Sequence, residues 1–355
     1  MKGKAAFLMR ILGLGSGALA LLILGPFWLS SYDLSLLGRF LSLSLAALGL
    51  VWVWGHGGVL SLGQGIFFGL GAYALAMHLK LAALPEGELP DFMVWNGLTQ
   101  LPWWWVPFRN PYFALGMVFL LPALLALVLG FLLFRRRITG AYIALITQAL
   151  ALTFATLLIS QQGLTGGFNG LTNFSLFLGH SVGEPGFQKT LYWITLGVVV
   201  LVLGLSYRLK ASFFGKTLLA IRGGENRMRF LGYDPALFKT AAFILGAVLT
   251  GVSGALFTLH VGVISPAMVG VVPSIEMVIW AAIGGRESFL GAVGATVILN
   301  LIKDRVSSAF PSAWSYLVGL LFVLVALAPI LGTKARGLRL LQRLEARVQE
   351  VRGRG

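Results

Sequence analysis

Few residues in this chain have the types and spacing that catalysis would need. The tripeptide Gly215-Lys216-Thr217 matches the end of a phosphate-binding P-loop, but that loop requires a glycine five positions before Gly215, where this chain has Lys210. The absence of cysteine excludes disulfides and thiolate metal sites. The four histidines, at positions 56, 78, 180 and 260, lack metal-ligand spacing. We therefore expect no catalytic residue, no metal and no cofactor bound by this chain.

A second set of polar residues lies within strongly apolar segments. Gln64 follows Ser61 in GVLSLGQGIFFGLGAYA, and Gln148 and Thr153 occur in ITGAYIALITQALALTF. A polar side chain inside a membrane needs a partner or water, and an ionisable one such as Glu276 is a functional-site candidate, although a water-exposed position at the interface would explain it equally well. We predict a polar, uncharged translocation pathway and name as its candidate residues Ser61, Gln64, Gln148, Thr153 and Glu276.

The small residues of the first of these segments have a regular spacing. Ser61, Gly65 and Gly69 fall four positions apart. On one helix, such a small-xxx-small ridge allows a second helix to approach closely. We interpret Gly65 and Gly69 as helix-packing glycines.

The elements that position these residues must be membrane-spanning helices. The chain of 355 residues is 57% hydrophobic and only 11% charged, whereas soluble domains carry about 25% charged residues. Apolar runs long enough to cross a bilayer recur along its length. The sequence predicts an all-α, polytopic transmembrane helical bundle of about ten spans. We place them at residues 11–29, 36–54, 59–79, 113–134, 138–159, 190–207, 240–260, 274–285, 288–303 and 312–331.

The start of the chain also resembles a signal peptide, because the basic segment MKGKAAFLMR precedes an apolar run. That run is long for a signal sequence and lacks a good small-residue cleavage site, so we expect it to remain as the first span.

The positive charge of the chain, formally +15, is a topology signal. With the predicted spans, most lysines and arginines fall on the side that carries both termini, and positive loops face the cytoplasm. We therefore expect cytoplasmic N- and C-termini and contact with anionic membrane lipid, with no nucleic-acid partner.

Two cytoplasmic regions follow from this topology. In the central loop, 208–239, Gly223 and Gly224 are expected to separate two short helices, and Asp234-Pro235 predicts the capped start of the next span. The loop fits either a docking site for another protein or a stop-transfer loop with its usual positive charge. The tail, 332–355, predicts a basic amphipathic helix on the inner leaflet, outside a membrane domain at residues 1–331.

Three stretches resemble branched-chain amino acid ABC transporter permeases: GHGGVLSLGQGIFFGLGAYA, GKTLLAIRGGENRMRFLGYDPALFKTAAFILGAVLTGVSGALF and GGRESFLGAVGATVIL. Others, such as PDFMVWNGLTQLPWWW, RRRITGAYIALITQAL and GGFNGLTNF, resemble the urea-type permease within that family. One departure is Glu287, at a position where the family usually has glycine, which puts the local backbone geometry in doubt.

The resemblance implies a urea importer in the bacterial inner membrane, in which this subunit is not an enzyme. A second permease subunit would form a heterodimer with it, a periplasmic solute-binding protein would deliver the solute, and two cytoplasmic ATPase subunits would use ATP. The ATPases would dock on the coupling loop at Lys216, Ile221, Arg222, Glu225, Arg229, Leu231, Gly232 and Tyr233. Two alternatives remain open: the same importer carrying branched-chain or other amino acids, and a stand-alone channel or secondary transporter for a small polar solute.

Overall fold

The structure is a computed structural model that describes residues 30–85, 87–310 and 316–324. The chain divides into two compact units, Met1–Leu301 and Ile302–Gly355. The predicted first span (11–29) and the predicted amphipathic tail (332–355) lie outside the described residues, as does most of the last predicted span.

The described part of the chain is predominantly helical. Its α-helices, in chain order, are α1 (Ser31–Leu50), α2 (Gln64–Ala82), α3 (Asp91–Trp95), α4 (Pro111–Arg135), α5 (Ala141–Ser160), α6 (Gln162–Thr165), α7 (Pro185–Ala211), α8 (Phe213–Gly223), α9 (Glu225–Phe230), α10 (Pro235–Val261), α11 (Val271–Ile283) and α12 (Phe289–Ala309), followed by a helical stretch at 316–324. A π-helical turn, Val51–His56, extends α1, and short 3₁₀ turns occur at Val106–Arg109, Gly167–Asn169 and Pro266–Met268.

Within the described residues, seven helical segments are long and apolar enough to cross a membrane. They are Ser31–His56, Gln64–Ala82, Pro111–Arg135, Ala141–Ser160, Pro185–Ala211, Pro235–Val261 and Pro266–Ile283. A polytopic helical membrane fold is therefore confirmed, whereas the count of ten spans and the side of the termini stay predictions. The predicted ninth span corresponds to α12, which is not among the seven segments.

Helix α10 lies at the centre of the first unit and packs against α1, α2 and α4. Its contact with α2 is a backbone contact: a Cβ added at Gly254 would lie 2.0 Å from the carbonyl oxygen of Phe68, and one at Gly71 would lie 2.0 Å from that of Gly251. Glycines at these positions let the two helix backbones touch directly, as is usual where membrane helices approach closely.

Short strands tie the loop after α5 to the segment after α10. Strand β1 (Leu171–Thr172) pairs antiparallel with β4 (Val263–Ile264), and β2 (Leu176–Phe177) pairs with β3 (His180–Ser181) in a hairpin. The first pairing fixes the chain that leads from α10 into α11, and α11 carries part of the site described below.

Candidate functional site

The chain is not helical between the π-helical turn and α2. Residues 57–63, here called the unwound segment, lie outside any helix, and α2 begins only at Gln64. The amides of Gly57 and Gly58 still donate to carbonyls of the preceding turn. Gly58 adopts a φ of +71°, a conformation that suits glycine and ends the preceding turn. The predicted helical start at residue 59 is therefore wrong. Ser61 precedes the helix and does not share a ridge with Gly65 and Gly69.

Two neighbouring helices satisfy the backbone around the unwound segment. The amide of Leu62 donates to the hydroxyl of Thr147 on α5 at 3.1 Å, and the amide of Gly65 donates to the hydroxyl of Ser274 on α11 at 2.9 Å. Irregular backbone at membrane depth is tolerated only where protein groups or water satisfy its polar atoms. These two hydroxyls thus hold the break in place.

Gln64, the first residue of α2, is fully buried beside α10. Its amide oxygen accepts a hydrogen bond from the hydroxyl of Thr250 at 3.1 Å. Its amide nitrogen has no hydrogen-bond partner among the described residues, and the same holds for the hydroxyl of the fully buried Ser253, three residues after Thr250. Buried donors without partners are costly, so this cluster has unused capacity to bind a polar molecule.

The two predicted packing glycines both face Val269, just before α11. A Cβ at Gly65 would lie 2.0 Å from the carbonyl oxygen of Val269, and one at Gly69 would lie 2.4 Å from its Cγ1 atom. Neither position has room for a larger residue without displacement of this backbone or side chain.

The remaining predicted pathway residues lie in different surroundings. Ser61 is fully buried in the unwound segment, and its hydroxyl accepts a long hydrogen bond from the amide of Gly63 at 3.4 Å. Gln148 is half-buried on α5, and Glu276 is buried on α11. Thr153 is exposed, and its hydroxyl donates to the carbonyl of Ala149 within its own helix. Ser61 and Gln64 are thus both fully buried at the start of α2, whereas Thr153 is exposed.

Sequence reasoning did not assign a role to four hydroxyl residues of this site. Each is a lone hydroxyl in an apolar span, and each is fully or almost fully buried: Thr147, Thr250, Ser253 and Ser274. The available signal was their position on apolar spans, but most membrane hydroxyls bond to their own helix. Only the packing shows which of them turn to the unwound segment.

The predicted organisation of the central loop is confirmed. Helices α8 and α9 are separated by Gly224, and the carboxylate of Asp234 accepts from the amide of Ala236 at 2.9 Å to cap α10. Ile221 is buried together with Leu218, so α8 is anchored to the bundle by its apolar face.

Charged side chains connect the loop to the rest of the fold. One guanidinium nitrogen of Arg222 donates to the carbonyl of Gly55, and the other lies 2.5 Å from the carboxylate of Glu287. This hydrogen bond from Arg222 lowers the pKa of Glu287 below its ordinary value. Glu287, the departure noted above, thus has a charged partner on α8.

A second set of ion pairs joins α9 to the start of α10. The carboxylate of Glu225 bonds to Arg229 at 2.7 Å and also to Lys239 on α10. Burial alone would raise the pKa of Glu225, but the hydrogen bonds from Lys239 and Arg229 outweigh it and lower the pKa.

The other predicted coupling residues lie on the surface of the loop. Lys216 is exposed, Gly232 turns the chain with a φ of +87°, and Tyr233 is half-buried near the ring of Phe213. Leu231 is 71% exposed, and the neighbouring Phe230 is 92% exposed. The end of α9 therefore presents an uncovered apolar pair within this chain.

The described ranges contain no group of three or more histidine, aspartate or glutamate residues that could hold a metal ion. Comparison with known proteins identifies the class of protein to which this helical arrangement belongs. A family described as branched-chain amino acid transport system / permease component matches residues 33–327. The chain belongs to this family. As a permease component with apolar spans, it is a multi-pass membrane protein.

Relatives extend over most of the chain. It is 26% identical to the high-affinity branched-chain amino acid transport system permease protein LivM of Salmonella typhimurium, over 88% of this chain and 73% of that protein. The LivM protein of Escherichia coli is also 26% identical, over 88% and 72%. A probable LivM of Methanocaldococcus jannaschii is 25% identical, over 79% and 87%. No solved structure matches. The relatives are transport permease subunits, in agreement with a non-catalytic membrane component.

Proposed function

We propose that this permease is the membrane subunit of a binding-protein-dependent ABC importer that carries urea across the bacterial inner membrane. The observation that carries the proposal is that polar but uncharged side chains are fully buried at the start of α2 and on the neighbouring helix α10: Ser61, Gln64 and Ser253. Two of these side chains have atoms without a hydrogen-bond partner in the described structure.

The chemistry of urea matches this cluster. Urea is a neutral, planar molecule with one acceptor oxygen and two amino groups. The free amide nitrogen of Gln64 can donate to the urea oxygen, and the hydroxyl of Ser253 can accept from an amino group. Because a neutral solute loses no charge hydration on entry, it needs no ionic partner in the pathway. High affinity would be set by the periplasmic solute-binding protein.

The energy would come from partner subunits. Two cytoplasmic ATPase subunits would dock on α8 and α9, where Phe230 and Leu231 provide an apolar contact and Lys216 a charge. An exposed apolar pair on a charged loop is typical of a protein interface. A second permease subunit would complete the pathway as a heterodimer, and this chain would bind no nucleotide.

Branched-chain amino acids are the second candidate solute, because the names of the relatives assign them that substrate. A zwitterion would need an ionic partner for each of its charges. The cluster at Gln64 offers amide and hydroxyl groups instead, which favours urea.

Uptake by the complete importer in proteoliposomes tests the proposal. With radiolabelled urea, we expect Gln64→Leu to lower the initial rate about tenfold, because a buried hydrogen bond to the solute is lost, and Gln148→Leu to lower it less. The matched control is Gln100→Leu, the same change at an exposed residue. Unchanged urea uptake in Gln64→Leu would remove this residue from the pathway.

Two further arms of this assay separate the alternatives. Uptake of leucine without uptake of urea would select the amino-acid importer. Uptake of urea by this chain alone, without ATPase or binding protein, would select a stand-alone channel or secondary transporter.

A further inference from the structure

Arg222 is the residue through which the coupling loop touches the chain that leads into the unwound segment. Its guanidinium donates to the carbonyl of Gly55, in the π-helical turn that ends α1, and pairs with Glu287 in the turn before α12. Charge-assisted hydrogen bonds of this kind are stronger and more directional than neutral ones. One side chain of α8 therefore holds two separate parts of the bundle.

The groups around Arg222 are closely packed. A Cβ at Gly58, the second residue of the unwound segment, would lie 2.7 Å from Cγ of Arg222. A Cβ at Gly55 would lie 1.6 Å from the carbonyl oxygen of Arg286. The arginine stem, the turn at Gly55 and the turn at Glu287 are thus in direct contact, so one cannot shift without displacing the others.

The turn at Glu287 is itself fixed to the end of α1. The ring of Phe289 stacks on that of His56, with centroids 5.1 Å apart and an angle of 3° between the planes. The ammonium of Lys210, at the end of α7, donates to the carbonyl of Glu287 at 3.5 Å. Movement of this turn is therefore transferred to the residue that directly precedes the unwound segment.

We propose that Arg222 and Glu287 are positioning residues that form a latch between the coupling loop and the unwound segment. Arg222 is part of α8, and the buried side chains of Leu218 and Ile221 pack this helix against its neighbours, so a shift of α8 displaces Arg222 as well. Displacement of α8 by a cytoplasmic partner pulls Arg222 from Gly55 and releases residues 57–63. That release changes the position of Ser61 and, at the start of α2, of Gln64. The latch rests on the proposed function for its role in transport, but its existence is tested on this chain alone.

The lack of cysteine allows a direct test. In the full chain in lipid nanodiscs, a single Ser61→Cys change places the only thiol in the unwound segment, which is fully buried in the latched state. We expect Arg222→Gln to raise its labelling rate with a small membrane-permeant maleimide about tenfold, through loss of a charged hydrogen bond. Glu287→Gln should raise it about threefold, since it breaks only the partly exposed ion pair. Arg222→Lys, which keeps the charge but can hold one partner, should be intermediate.

Two controls separate release of this segment from general loosening. Ser44→Cys introduces a thiol into α1 at an equally buried site, and its labelling should not change in the latch variants. Arg208→Gln removes an exposed cytoplasmic charge at the end of α7 and should leave Cys labelling at position 61 unchanged. Equal labelling of position 61 with and without Arg222, or an equal rise at positions 44 and 61, would overturn the latch. If labelling responds as expected but the importer carries no urea, the latch stands and the proposed substrate fails.

Discussion

The unwound segment and the coupling loop are both irregular stretches between helices, yet they are held by opposite chemistry. In the unwound segment and at the start of α2, the side-chain hydrogen bonds join neutral groups: the hydroxyls of Thr147 and Ser274 accept from backbone amides, and that of Thr250 donates to the amide oxygen of Gln64. Around the coupling loop the contacts are ionic, from Arg222 to Glu287 and from Glu225 to two basic residues.

The difference follows from the surroundings of each stretch. A charge buried without water costs more than it returns unless its geometry is ideal, whereas a hydroxyl or amide costs little once it is hydrogen-bonded. The loop is partly exposed, so its charged groups keep part of their hydration. These surroundings support the proposals of a neutral solute at the interior break and of protein partners at the loop.

The largest expected effect is on the interior side. Gly65→Ala would place a methyl group against the carbonyl oxygen of Val269 and the hydroxyl of Ser274. We expect a loss of about 3 kcal/mol, since overpacking against backbone cannot relax easily. Thermal unfolding in detergent, followed by tryptophan fluorescence, measures it.

The matched control for this change is Gly197→Ala on α7, where the described structure has no atom within 4 Å of the added methyl apart from the local backbone of the helix itself. It should unfold at or above the wild-type temperature, because alanine is the better helix former. Equal stability of both variants would show that α2 and Val269 are not in close contact.

A smaller effect is expected from loss of a single neutral hydrogen bond. Ser274→Ala would leave the buried amide of Gly65 without its acceptor. We expect a loss of about 1–2 kcal/mol, the usual cost of an unsatisfied buried donor. Thr156→Ala is the comparison, because that exposed hydroxyl bonds only to its own helix. The same detergent unfolding assay applies, and an unaffected Ser274→Ala would argue that water replaces the hydroxyl.

The smallest effect is expected on the ionic side, as a dependence on pH. The folded pKa values of Glu225 and Glu287 lie below the ordinary value of 4.5. Their stabilising contribution is therefore complete above pH 4.5 and is lost as the pH falls through the lower folded pKa values. Hydrogen exchange of α8 and α9 amides, corrected for the intrinsic rate, should increase in that range.

The double variant Glu225→Gln/Glu287→Gln supplies the reference for this measurement. It should exchange faster than wild type at neutral pH and lose the additional acid response. The amides of α2 beyond its first turn should show no such response in either protein, because that part of the helix packs against α10 without charged groups. The first turn adjoins the unwound segment and is left out of this comparison. An acid response confined to α2 would reverse the comparison between the two regions.

The sequence predicted much of the loop and less of the interior. Gly223-Gly224 and Asp234-Pro235 are strong local signals, and the structure has the helix break and the cap at those positions. Glu287 was recognisable only as a departure, since its partner Arg222 is 65 residues away. The interior hydroxyls had no local signal, because Thr147, Thr250 and Ser274 also bond to their own helices, as hydroxyls in other spans do.

Composition alone determined that this chain is a polytopic helical membrane protein. In a bilayer, the backbone N–H and C=O groups of apolar runs of this length find hydrogen-bond partners within the run only if the run is a helix. The local motifs further indicated its family and the two short helices α8 and α9. Only the tertiary structure decided that the chain unwinds between Gly57 and Gly63 and that Gln64 begins a helix with an unused donor. The physical reason is that Thr147 and Ser274, which are distant in sequence, supply hydrogen bonds to backbone amides at the break and at the start of α2.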